Sequence, residues 1–381
     1  MVAEGTVGRA DGPDRLTLIV LGGGPAQRHA IEAAERPGIR PLVCDSSPGV
    51  GEAAVSSEDT EGVRRVARES GAAGLIAPGT DWPVRIAAYV AEDLGLPHPL
   101  DVETAVRCTS KIAQREVLDA AGVRQPAWSA ESPPGYPCVV KASDRQGQRA
   151  MTIVSSPDDL EQAAARARSA ARGGRALFEA FVPGPEVTVN AFSVGGRFHP
   201  VAVTARDHFS GAPGVARRHV YPSGLADEAA IGVARAAVAA LGIREGPSYV
   251  QLILSDSGPV IIEVAARLGG GHDSEICRLA AGVDLADAAV RAAVGWTVEE
   301  AALEPHPNGA CVIEFLEAPV GELVAVSGPP EATFYHAPGH RYPPLRTAID
   351  RAGYVIALGS TREEALDRAR TAVEAVRFEV E

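Results

Sequence analysis

Lys111 and Lys141 are the only lysines in 381 residues; all other basic side chains among the 36 Lys and Arg are arginine. A lysine ammonium is a compact point charge on a flexible stem, suited to reaching a phosphate in a confined cleft. Lys111 opens a predicted helix, and Lys141 lies in a predicted strand, 138–142, just before a polar loop containing glycine. A second set of residues surrounds Asp256-Ser257-Gly258, a hairpin signal. With the turn centred on Ser257, Gln251 and Glu263 are each six residues away, so they face one another on the same side of the sheet. An amide oxygen beside a carboxylate is a hard-oxygen pair suited to Mg²⁺ that also holds phosphates. Glu263 follows the apolar run Pro-Val-Ile-Ile, where an unpartnered carboxylate would be costly. Arg267, four residues on and followed by Gly269-Gly270-Gly271-His272-Asp273, could clamp a phosphoryl group or stabilise a developing oxyanion. Glu179 and Glu186 flank the turn Pro183-Gly184-Pro185. That bent connection can offer backbone groups to a purine edge, with Glu186 accepting from ribose hydroxyls.

These residues need elements to hold them. From Leu16 the pattern is strand, Gly22-Gly23-Gly24 turn and helix, then strand 40–44, helix 61–70, strand 73–77 and helix 82–94. Strands alternating with helices imply a parallel, doubly wound sheet of about a hundred residues. After Asp101 the rhythm becomes α+β. Predicted elements are helix 111–121, strands 138–142 and 151–154 about the loop Ser143–Arg149, a helix to about Arg172, and strand 176–181. A β-region 186–205, helix 226–241, strands 248–254 and 259–264, helices over 274–295 and a final α+β piece follow. The cluster Arg206, His208, Arg217, Arg218 and His219 falls between the β-region and the next helix, where it could line a carboxylate pocket.

Composition narrows the classes. A formal charge of −13 argues against non-specific binding to nucleic acid or an anionic membrane. Apolar runs are strand-sized, and residues 1–15 read as a polar, loose tail without the apolar stretch of a secretory signal. The cysteines Cys44, Cys108, Cys138, Cys277 and Cys311 are odd in number and lack a Cys-x-x-Cys pair, which fits a reducing cytoplasm better than disulfides or zinc.

Lysine on a helix, lysine in a strand before a glycine loop, Glu-Ala-Phe-Val-Pro-Gly-Pro-Glu (179–186) and the Gln…Glu-x-x-x-Arg hairpin occur here in one order. That order resembles the ATP-grasp superfamily along nearly the whole chain. The resemblance implies an α/β fold with a Rossmann-like domain over 16–107, an ATP-grasp small lobe over 108–183 and a large lobe over 184–300. A C-terminal α+β lobe would cover 301–381. It implies Lys111 and Lys141 as phosphate contacts, the loop 143–149 with Gln148 as a lid, and Glu179, Ala180, Phe181 and Val182 as the adenine hinge. Glu186 becomes the ribose acceptor, Gln251 and Glu263 the ligands of Mg²⁺ or Mn²⁺, and Arg267 the arginine beside the reacting acyl phosphate. Many members carry Asn where this chain has Ala265, which removes one ligand from a second metal ion.

The implied activity is ATP-dependent ligation of a carboxylate to an amine through an acyl phosphate. Residues 262–272 and the ending from Arg341 onward resemble the L-amino-acid ligase branch, with Gly270 and His272 on the substrate side. Gln251 matches carbamoyl-phosphate synthetase-like members. The implied partners are a small carboxylate and an amine, and a homodimer stays open as the assembly. Three other readings stand beside it. One is carboxyphosphate formation from bicarbonate. Another is a non-catalytic nucleotide-binding module. The third is an NAD-dependent oxidoreductase using Gly22-Gly23-Gly24 and Asp45, against which Gln27 replaces the third glycine of the dinucleotide fingerprint.

Overall fold

The computed structural model describes residues 15–36 and 38–381; the predicted tail therefore lies, but for Arg15, outside the described residues. The first strand, Thr17–Leu21, is five apolar or small residues buried on both faces, as a central parallel strand requires. It pairs in parallel with Arg40–Cys44 and Gly74–Ile76, giving a three-stranded sheet in the order second, first, third. The helix Trp82–Leu94 begins as predicted and stops at Gly95, in the left-handed conformation. A helix not predicted, Val102–Cys108, is capped by Asp101, whose carboxylate accepts from the Thr104 N–H at 2.7 Å.

A four-stranded sheet, in the order Trp128–Ser129, Ala176–Ala180, Cys138–Ala142, Thr152–Val154, carries Lys141 and Glu179. The helix Leu160–Ala170 buries Ala163, Ala164 and Ala167 beneath it, small side chains that let it lie close to the strands.

The largest sheet has eight strands. Their order is Gly258–Ala265, Gly246–Ser255, Glu186–Val194, Arg197–Phe209, Ala212–Tyr221, Ala310–Leu316, Gly353–Gly359, Ala332–Phe334. Helix Asp227–Leu241 packs Ala230, Ala234, Ala237, Val238 and Leu241 against it, and each fully buried Val or Leu contributes about 1.5–3 kcal/mol. Two expectations change here. The polar stretch holding Arg217, Arg218 and His219 is itself a strand. Three strands beyond residue 301 continue this same sheet, joined through Arg218 opposite Glu314, so position 300/301 does not break it. No helix among the described residues is long and apolar enough to cross a membrane.

Candidate active site

The hairpin places Gln251 opposite Glu263 as expected, by a different route. Ser255 pairs with Gly258, so the turn is the two residues Asp256 and Ser257 rather than one centred on Ser257. Unbroken, that register would set Gln251 against Ile262. A bulge between Leu252–Ile261 and Gln251–Glu263 slips the strand by one residue and restores the pair. The same slip lets the Ile262 carbonyl accept from Arg115 at 2.5 Å.

Behind the hairpin lies a layer of charge. Ser110 caps helix Lys111–Ala120 by accepting from the Ala113 N–H. Lys111 and Arg115, one turn apart, then project on one face. Lys111 Nζ donates to Glu263 Oε1 at 2.7 Å and to the Arg145 carbonyl at 2.8 Å. Arg115 Nε donates to Glu179 Oε1 and Lys141 Nζ to Glu179 Oε2, both at 2.7 Å and all buried. Burial alone would raise the Glu263 carboxyl, but Lys111, Lys141 and Arg267 outweigh it and hold it down at about 2. For Lys141 the balance reverses. Burial lowers it, Glu179 pulls it up, and Arg115 and Lys111 push it down again, leaving it below its ordinary value. Lys111, Lys141 and Arg115 thus face only Glu179 and Glu263 within this layer, an excess of positive charge turned toward the hairpin.

In front of the hairpin is a cavity of about 420 Å³. Its walls include Gln251, Glu263, Arg267, Arg206, His219, Gly270 and His272, together with Gln148 and Arg149 of the predicted lid. Gln148 takes φ +61°, a left-handed conformation that a non-glycine residue adopts only when its surroundings enforce it. Arg267 is pinned by Asp81 at 2.6 Å. Asp81 sits at the N-cap position of helix Trp82–Leu94 but makes no cap hydrogen bond, its carboxylate being spent on Arg267. His272 contacts the Tyr335 hydroxyl at 2.9 Å and stacks on Tyr354. His219 Nδ1 lies 3.1 Å from the buried Asp273 carboxylate, and neither ring nitrogen has a hydrogen-bond partner of good geometry among the described residues. A Cβ on Gly270 would come within 2.7 Å of the Gly79 carbonyl oxygen, which is backbone and cannot swing aside. Gly270→Ala should therefore lower stability by about 1–3 kcal/mol in urea denaturation; an unchanged midpoint would show that this contact is slack.

The remaining expected residues divide. Glu186 is half-buried and held by Arg206 and by His208 at 2.9 Å. Burial would raise its carboxyl, but Arg206 and His208 keep it low. Arg206 also reaches Gln251 Oε1 at 2.9 Å. Arg217 and Arg218 are elsewhere. Both bond Glu314 and line a separate recess with Glu363 and Arg370, because bulges between Ala212 and Arg218 turn them away from the cavity. The hinge reading is narrowed as well. The Glu179 carboxylate is consumed by Arg115 and Lys141. The N–H groups of Ala180 and Phe181 already donate to Ala127 and Pro137. Val182 is left as the hinge residue whose N–H has no backbone partner among the described residues. Lys111, Lys141, the hinge and Glu186 do not line the cavity itself; Lys111 borders it through Glu263 and Glu186 through Arg206, while Lys141 and the hinge lie behind them around Glu179. The sequence reading missed Arg115, Asp81, Tyr335 and Arg351. Of these only Arg115 left a signal, its spacing of four from Lys111.

Residues 134–275 match the family described as ATP-grasp domain, and residues 314–381 match L-amino acid ligase C-terminal domain 2. The chain contains an ATP-grasp domain. Among curated proteins it is 24% identical over 397 residues to "Uncharacterized protein y4rH" of Sinorhizobium fredii, covering 93% of this chain and 80% of that one. Over 256 residues it is 29% identical to the formate-dependent phosphoribosylglycinamide formyltransferase of Ignicoccus hospitalis, covering 62% of this chain and 61% of that one. Its fold is similar to the crystal structure of L-amino acid ligase from Bacillus licheniformis, with TM-score 0.82, 21% identity, and coverage of 97% of this chain and 99% of that chain. The matched ATP-grasp domain contains Lys141, Glu179, Glu186, Gln251, Glu263 and Arg267. Lys111 precedes it, and Tyr335 and Arg351 come from the C-terminal match.

Proposed function

We propose that this chain is an ATP-dependent carboxylate–amine ligase. It transfers the terminal phosphoryl group of ATP to an amino acid or similar small carboxylate; an amine then displaces phosphate, leaving an amide, ADP and phosphate. The observation that carries this reading is Gln251 in register with Glu263 on the cavity wall, with the Lys111 ammonium on that carboxylate. Phosphoryl transfer asks little covalent chemistry of a protein; it asks for positioned cations and exclusion of water. Lys111 and Lys141 supply cations, Arg267 faces the acyl phosphate, and Gln148 and the loop 143–149 cover the cavity. Val182 would meet the adenine edge and Glu186 the ribose. Gly270, His219 and His272 border the acid.

Gln251 Oε1 and Glu263 are hard oxygens and fit Mg²⁺ or Mn²⁺. Each is now held by a protein cation, Gln251 by Arg206 and Glu263 by Lys111. Among the described residues no group of three or more His, Cys, Asp or Glu is arranged for a metal, and Ala265 offers no side-chain oxygen. Two protein oxygens would leave the remaining positions to phosphates and water, as Mg²⁺ sites on nucleotides commonly do. Bound there, the ion would supply neutralisation of phosphate charge.

We assign residues 16–107 a Rossmann-like role as scaffold rather than as an NAD site. Asp45 accepts from the Gly23 and Ser47 N–H groups, and the Gln27 side chain, 4% exposed, is folded against Gly22 and Gly24 where a pyrophosphate would lie. The lobes 108–183 and 184–300 and the segment 301–381, whose strands extend the large lobe's sheet, then wall the cavity together with Pro25, Ala26, Gly79 and Thr80 of the first domain. Five buried free cysteines suit the reducing cytoplasm we assign to the reaction.

A hydroxylamine trap tests the reading. With ATP, Mg²⁺ and pooled small carboxylates, hydroxamate and ADP are expected in equal amounts, and deconvolution names the acid. Absence of both products with every carboxylate would sink ligation. ADP release driven by bicarbonate without hydroxamate would assign carboxyphosphate formation instead.

A further inference from the structure

Three arginines are buried among the described residues: Arg115, Arg267 and Arg351. Arg115 has Glu179 and Arg267 has Asp81. Arg351 has no carboxylate within ion-pair distance among the described residues. It lies in the cavity wall, 8% exposed, and its one hydrogen bond runs from Nε to the Ala348 carbonyl at 2.8 Å, along its own chain. Its guanidinium is fixed over the Phe315 ring, 3.7 Å from the centroid, so the side chain is aimed rather than free. A buried guanidinium without an anion is costly, and structures retain one where a ligand supplies the missing charge. Burial lowers the Arg351 value to about 10, with Arg206 among the groups that act on it, so the two guanidinium groups share one field.

The cavity's own charges point the same way. Arg149, Arg206, Arg267 and Arg351 line it, against Glu263 as the lining carboxylate. Phosphates of ATP and the reacting carboxylate, beside Lys111, Lys141 and Arg267, already have cations. Arg351 arrives from the C-terminal segment, just before strand Gly353–Gly359, and is left over.

We propose that Arg351 is a specificity-determining residue that holds a second, non-reacting carboxylate of the substrates. One of the two molecules joined therefore carries a free carboxylate in the product: a dicarboxylic acid on the acyl side, or an amino acid as the attacking amine. The proposal rests on the ligase reading for the identity of the reaction but not for the anion site itself.

The test uses the full chain and its Arg351→Ala and Arg351→Lys variants. ADP release is measured with amino acids and their carboxamides as amines, and with dicarboxylic acids and their monoamides as acids. In the parent, amidating the anchored carboxylate should raise KM about 100-fold. Arg351→Ala should raise KM for the free carboxylate by a similar factor, leave KM for the carboxamide and for ATP unchanged, and Arg351→Lys should recover part of the loss. Whether the effect falls on the acid or the amine assigns the source. Equal losses on carboxylate and carboxamide, or a parent indifferent to amidation, would overturn the proposal. Malonate binding by thermal shift gives a readout without turnover: a shift in the parent that disappears in Arg351→Ala supports the site, and one that survives refutes it. No ADP release with any pair would fail the ligase reading while the malonate result still judges Arg351.

Discussion

Lys141→Met is expected to slow ATP-dependent product formation by about 10²–10³-fold, the usual cost of removing one positioned charge from a transition state, without weakening the fold. The two halves of that expectation come from one geometry. Lys141 is buried beside Glu179, yet Glu179 is shared with Arg115, so one negative charge serves two cations. The folded-state value of Lys141 is therefore below the ordinary 10.5, chiefly through burial. A base whose value falls on folding opposes folding while protonated. That opposition is full below the folded-state value and disappears as pH rises past 10.5. Methionine removes it and still leaves Glu179 paired with Arg115. The urea midpoint of Lys141→Met at neutral pH should then equal or exceed the parent's, and its advantage should shrink toward alkaline pH. Lys141→Arg should not restore rate, because a longer planar group cannot take the place of a compact ammonium. Rates within tenfold of the parent for Lys141→Met would mean that the phosphate site lies elsewhere.

That a cation is kept at a cost to stability explains why the two lysines were legible at all. Arginine serves the surface of this chain, and both lysines are buried. The residue choice was itself the signal. The hairpin pair was legible for a similar reason, since a short turn and period-two alternation confine Gln251 and Glu263 to a few registers. The bulge that settles the register was not, because it answers to Arg115 reaching the Ile262 carbonyl from a distant helix. The strand Ala212–Tyr221 hid behind its own irregularity. Two register shifts between Ala212 and Arg218 break the alternation that marks a strand, so in sequence its arginines stand unassigned between the β-region and the next helix, as candidates for a carboxylate pocket. Sheet partnership across long separations was also invisible: nothing local to Ala310–Leu316 says that its neighbour is Ala212–Tyr221. Arg351 is the extreme case. What singles it out is the lack of a nearby acid, which only the packed chain can show.

Glu179→Ala should be among the most destabilising single substitutions in the chain, at about 3–5 kcal/mol, because it strands two buried cations at once. Arg115 would keep hydrogen bonds to Gln125 and to the carbonyls of Ile261 and Ile262. Lys141 would keep no partner of its own, so most of the penalty should reside there. Adding Lys141→Met to Glu179→Ala should then recover a large part of the lost stability, a coupling that a double-mutant cycle in urea reads directly. Were Glu179 chiefly an adenine contact, its removal would raise KM for ATP and cost no more stability than a surface change, within about 0.5 kcal/mol. A cycle showing no coupling with Lys141 would point the same way. The expected result, large destabilisation partly reversed by the second substitution, makes Glu179 the residue that sets Lys141 in place, and through it the charge that a phosphate would meet.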